Sequence, residues 1–231
     1  MGRLTPHLVR AAAGGAAAVA LLAGGCASQR TPIPRLLDGT SPPSLPARLD
    51  GLGGPTVVSR LTVTTVRRLG SIGRRCVDSF TPEFRVPADA IVIRRTGVVG
   101  ESLTFANADR DVVLGCDRTA RRLRPGEPWC GRSVGRVIAG RLRDLRLDVA
   151  CHTTSGVQVG FGWIQSGAHT RWVTAGVDGV TEVSAVAAGL PVRVVTEDID
   201  RADSSATFAI GEYGSAGMAL RTYRLSAGVA G

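Results

Sequence analysis

From Thr56 onward the chain alternates apolar and polar residues with a period of two. In "TVVSRLTVTTV" (56–66), Val57, Leu61 and Val63 fall on one face of an extended segment, and the β-branched run favours a strand. "AIVIRR", "SLTFA" and "VVLGC" continue the pattern. The clearest alternation is "VQVGFGW", where Val157, Val159, Phe161 and Trp163 share one face and Gln158, Gly160 and Gly162 the other. "RWVTAG", "TEVSAVA", "PVRVVT", "SATFAIGEY" and "MALRTYRLSA" follow. Strands recurring roughly every 10–14 residues, with Gly, Ser and Asp between them, predict an all-β, antiparallel, sandwich-like fold. The pattern divides into two β units, 56–130 and 146–231.

One segment departs from the alternation. In "GRSVGRVIAGRLRDLR" (131–146), Val134, Val137, Ile138 and Leu142 fall near helical spacing. Gly135 and Gly140 weaken a helix there, each by up to about 1 kcal/mol against Ala. Residues 131–145 are therefore read as a basic connection between the units, formed by a short helix or another hairpin. Counting "LRLDVAC" first, residues 146–226 supply seven strands. The second unit is thus similar in size and strand count to an immunoglobulin or fibronectin type III sandwich. Residues 26–55 are punctuated by Pro, Gly and Ser and keep no hydrophobic period, which predicts an extended tether.

The first residues have a different character. Arg3 and Arg10 precede "AAAGGAAAVALLA" (11–23), an apolar run of 13 residues. A transmembrane helix needs about 20, so this length suits the apolar core of a signal peptide. Gly24, Gly25 and Cys26 follow. The arrangement resembles the lipobox of bacterial lipoproteins, although Ala23 and Gly24 stand where that family has Leu, Val or Ile and then Ala, Ser or Thr. The resemblance implies a signal peptide over 1–25, cleavage before Cys26, and a diacylglycerol thioether on Cys26. It further implies a chain held on the extracytoplasmic face of the cell membrane. The alternative is an ordinary secretory signal cut near Ala27.

Acylation of Cys26 leaves four cysteines, Cys76, Cys116, Cys130 and Cys151. An even set in an exported chain predicts two disulfides. "RPGEPWC" places a Pro-Gly turn between Cys116 and Cys130 that would close one bridge locally, leaving Cys76 to Cys151. No CxxC occurs, and neither a metal nor a cofactor is expected.

Charge changes the picture next. All 28 basic residues of the chain are arginine. Nine lie in 118–146: Arg118, Arg121, Arg122, Arg124, Arg132, Arg136, Arg141, Arg143 and Arg146, against only Glu127 and Asp144. Such a segment suits an anionic lipid surface, a wall polymer or an acidic envelope protein. Nucleic acid is disfavoured by the compartment and by the lack of interleaved aromatics.

"GRSVG" (131–135) fits G-x-S-x-G, the turn that exposes the nucleophile of serine hydrolases. Its context argues against catalysis by Ser133, because "PGEPWC" before it reads as a turn and no βαβ series surrounds it. The mature chain's histidines, His152 and His169, read as surface residues. Trp163 continues the apolar face of its strand and reads as core. The expected function is non-catalytic: binding or scaffolding by a lipid-anchored envelope protein. The alternatives are an envelope serine hydrolase using Ser133 and a solute-binding lipoprotein; the latter class is usually larger and α/β.

Overall fold

A computed structural model describes residues 44–119, 129–138, 141–142, 148–152, 158–177, 179–197, 199–200 and 205–228. In chain order the elements are β1 (Thr56–Val58), β2 (Arg60–Thr65), α1 (Ser71–Asp78), β3 (Ile91–Thr96), β4 (Gly100–Ala106) and β5 (Val112–Thr119). Then come β6 (Gly131–Ile138), β7 (Arg141–Leu142), β8 (Asp148–His152), β9 (Gln158–Ile164) and β10 (Trp172–Val177). The last are β11 (Val180–Ala185), β12 (Val192–Thr196), β13 (Ile199–Asp200), β14 (Ser205–Tyr213) and β15 (Ala219–Gly228). The fold is all-β and sandwich-like. Among the described residues all the strand pairs are antiparallel except β1 with β11. Among the described residues no helix is long and apolar enough to cross a membrane.

Three sheets form. The front sheet runs β2-β3-β4-β5-β6-β7, the middle sheet β12-β9-β8, and the back sheet β1-β11-β10-β14, with β13 and β15 both paired to β14. Alternation along β4 and β5 explains how the front sheet is covered on both faces. Leu103, Phe105, Val112, Leu114 and Cys116 point to the outer side, where α1 contributes Cys76 and Val77 to their cluster, with Phe80 just beyond its end. On the inner side Val113 packs against Trp163 of the middle sheet. The other face of the middle sheet turns Ile164, Val192 and Val194 toward Val173, Phe208 and Ile210 of the back sheet. Beside this three-layer region the front and back sheets meet directly, through Leu61 and Ile93 against Trp172, Val183 and Tyr213.

Several sequence expectations are corrected. The strand read through 56–66 is two strands in two sheets, because the chain crosses from back to front at Ser59. That residue is buried, and its N–H and hydroxyl both donate to the Val183 carbonyl. The stretch 131–138 is a full strand of the front sheet, and β6 and β7 form the hairpin that the sequence offered as the alternative to a short helix. Helical spacing misled here because the strand's inward positions are Ser133 and Gly135, while Val134 faces out and is 47% exposed. The seven strands expected between 146 and 226 are present as β8–β12, β14 and β15. They do not share one sheet pair of their own, since the back sheet also takes β1 and the middle sheet packs on the front one.

The cysteine pairing also differs. Cys76 on α1 is bonded to Cys116 on β5, with an S–S distance of 2.01 Å. The expected closure of Cys116 with Cys130 is not made, because Cys116 faces the cluster under α1 whereas Cys130 packs against Val99, Val159 and Phe161. Cys130 is itself disulfide-bonded, and its Sγ accepts the Thr119 N–H at 3.1 Å. Cys26 and the side chain of Cys151 lie outside what is described.

Candidate functional site

A polar constellation of the interior forms where the middle sheet meets the front sheet. Arg193 on β12 sits among valines, and the strand's alternation turns it away from the back sheet toward β5. Its Nε donates to Asp117 Oδ1 at 3.0 Å, while Nη2 donates to Asp117 Oδ2 and to Ser133 Oγ. The Ser133 hydroxyl donates to Asp117 Oδ2 at 3.1 Å. The side chains of Arg193 and Asp117 are 1% and 0% exposed. The guanidinium lies over the rings of Trp163, at 4.4 Å from the centroid, and Phe161, at 5.7 Å. Gly115 leaves room for that indole, since a Cβ there would stand 2.7 Å from Trp163. The arrangement satisfies a buried charge by a bidentate carboxylate, a hydroxyl and aromatic faces, which is the chemistry of a structural brace.

Ser133 is thereby placed. It is 1% exposed, on a strand rather than at a sharp turn, and its two partners are an anion and a permanently protonated cation. Both carboxylate oxygens of Asp117 are engaged by Arg193, and the serine hydroxyl is buried between them. His169 lies exposed in the turn between β9 and β10, and the side chain of His152 lies outside the described residues. Trp163 and Trp172 are both core residues, each 2% exposed.

A second buried carboxylate, Glu212 on β14, gathers the β9–β10 turn and β15. It accepts hydrogen bonds from Arg221 Nε at 2.8 Å, Thr170 Oγ1 at 2.7 Å, the Gly167 N–H at 3.1 Å and the Tyr223 hydroxyl at 3.0 Å. Burial alone would raise its pKa, but Arg221, Thr170, Gly167 and Tyr223 together hold it below the usual carboxylate range. Burial and then this neighbouring carboxylate push the Tyr223 phenol up, so it stays a donor.

The outer side of the front sheet carries a group of arginines. Arg132 and Arg136 project outward from β6 on either side of Val134. Arg132 caps the end of α1 by donating to the Ser79 carbonyl, lies over Phe80 at 5.2 Å, and reaches Glu83 at 4.0 Å. Arg118 pairs with Glu101 at 2.8 Å and lies over Trp129, whose indole N–H donates to the Ile72 carbonyl. Four further arginines that the basic-segment reading missed stand on the same side: Arg67 and Arg68 before α1, and Arg74 and Arg75 on it, all exposed. They share a surface because α1 buries Gly73, Cys76 and Val77 against the sheet and so turns its charged positions out. The signal was present in the apolar spacing of Leu69, Cys76, Val77 and Phe80, which is that of one helix face. Of the other predicted arginines, Arg121, Arg122, Arg124, Arg143 and Arg146 lie outside the described residues, as does the side chain of Arg141.

No protein-family model matches the chain, and no curated protein or solved structure does.

Proposed function

We propose that this protein is a lipid-anchored, extracytoplasmic envelope protein with a non-catalytic binding or scaffolding role. Its binding surface is the arginine-bearing face of α1 and β6. The observation that carries the reading is the exposure of Arg67, Arg68, Arg74, Arg75, Arg132 and Arg136 on one side of the front sheet, opposed there chiefly by Asp78 and Glu83. A partner rich in negative charge, such as anionic lipid, wall polymer or an acidic envelope protein, complements that face. The anchor rests on the lipobox-like run ending at Cys26. Burial of Ser133 in the Arg193–Asp117 brace weighs against the hydrolase alternative.

Each half of the proposal has its own test. Cys26→Ser should abolish metabolic fatty-acid labelling and release the chain from membranes, and an unlabelled wild type would end the lipoprotein reading. For the surface, a chain starting at residue 44, which keeps the buried Leu49, should cosediment with phosphatidylglycerol vesicles at low salt. Attraction near an anionic membrane is on the order of 1 kcal/mol per arginine. Arg74→Glu, Arg75→Glu and Arg136→Glu together should therefore weaken binding strongly, as should added salt. Equal binding by variant and wild type would reduce the face to solvated charge.

A further inference from the structure

At the junction of all three sheets lies a cavity of about 10 Å³, lined among others by Arg95 of β3, Glu182 of β11, Ser102 of β4 and Phe161 of β9. Arg95 is 3% exposed. Its Nη2 donates to the Ala185 carbonyl at 2.9 Å, but Nε and Nη1 are buried without a hydrogen-bond partner. Leaving a buried donor dry costs about 1–3 kcal/mol, and more when the group is charged. Glu182, 6% exposed, accepts the Val98 N–H at 2.9 Å. A carboxylate offers about four acceptor positions, so capacity remains on its oxygens. Among the described residues no ion pair joins Arg95 to Glu182, although each feels the other's charge.

The surroundings fit a small polar guest. Gly97 admits the Glu182 carboxylate, since a Cβ there would stand 2.2 Å from Oε1. The other charged groups at the cavity are committed elsewhere. Arg193 turns to Asp117, and Glu101 turns to Arg94 and Arg118. A space of this size, about one probe sphere, accepts a single water where polar partners exist. A larger anion finds neither the volume nor a site free of carboxylate.

We propose that Arg95 and Glu182 hold one ordered water between them, so that the front and back sheets are joined by a water-bridged ion pair. The inference stands apart from the proposed binding role and uses none of its residues. Two measurements on the full chain test it. Magnetic relaxation dispersion of water nuclei counts long-lived internal waters, and Arg95→Met should contain one fewer than wild type. A wild-type crystal grown from bromide solution should show a peak within hydrogen-bond reach of Arg95 and Glu182 that has no anomalous signal. Equal water counts, bromide at the site, or direct contact between the two side chains would overturn the proposal. Should Arg95→Met fail to fold, the wild-type crystal decides alone.

Discussion

Two arginine–carboxylate pairs cross the interior, and they are built differently. Arg193 and Asp117 touch, share Ser133, and are roofed by aromatic rings. Arg95 and Glu182 face a common cavity without touching, and Arg95 makes one direct hydrogen bond. Burial is nearly equal for the two arginines, so burial does not set their behaviour; the number and placement of partners does. The Arg95 guanidinium is brought down to about 10, mainly by burial, with Glu182 pulling the other way, and it stays charged at neutral pH. Burial likewise raises the Glu182 carboxyl, and the Val98 N–H, Arg95 and Ser59 only partly offset it. Glu212, 1% exposed but with more donors, moves in the opposite direction.

The sharpest way to break the contrast is to remove Asp117. Asp117→Ala leaves Arg193 charged and uncompensated, and breaking such a pair costs about 3–5 kcal/mol in urea unfolding. The double change Asp117→Leu with Arg193→Met should recover most of that loss, because a buried pair replaced by apolar groups is often neutral. Arg95→Met comes next, with an expected loss of about 1–3 kcal/mol, because the Glu182 left behind can take up a proton. An Arg95→Met loss as large as that of Asp117→Ala would erase the difference between the two pairs.

A pH series separates the carboxylates. Glu182 titrates above its ordinary value of 4.5 when folded, so between that value and the raised one the folded state holds more protons. Its contribution to stability is therefore greatest in acid and falls as pH rises through the window. Glu212 titrates below 4.5 when folded, and its contribution is present above that value and lost as pH falls through the folded one. Glu182→Gln should flatten the first slope and Glu212→Gln the second, in unfolding curves taken from acid to neutral pH. The smallest effect belongs to Ser133→Ala, about 1 kcal/mol for one hydrogen-bonding hydroxyl, with no loss of binding and no fluorophosphonate labelling of the wild type.

The strands were legible because period-two runs such as "VQVGFGW" have only one way to bury an apolar face. What sits on their opposite face was not. Gly160 and Gly162 fall on the face opposite Phe161 and Trp163, and Gly162 lies against Phe208, since the middle sheet is covered twice. The buried charges were hidden for a related reason. Arg193 in "PVRVVT" and Asp117 in "VVLGCDRT" look like ordinary polar positions until a third layer exists to enclose them. A lone charge flanked by valines was the available signal, but only the register of β5 and β12 tells which cation meets which anion. The arginines of α1 were visible as charges, but only the helix that orients them makes them one face with β6.

The route by which the chain enters the fold has a mechanical consequence. Leu49 is plugged into the cluster of Trp172 and Tyr213, the Asp50 N–H is tied to the Gly217 carbonyl at 3.0 Å, and β1 then runs parallel to β11 for three residues before the crossing at Ser59. A pull arriving from the N-terminal side must extract a leucine, then break that bond, then shear a short parallel ladder, before it reaches the front sheet. These contacts give way one after another as the chain is drawn out, so the front sheet is reached last.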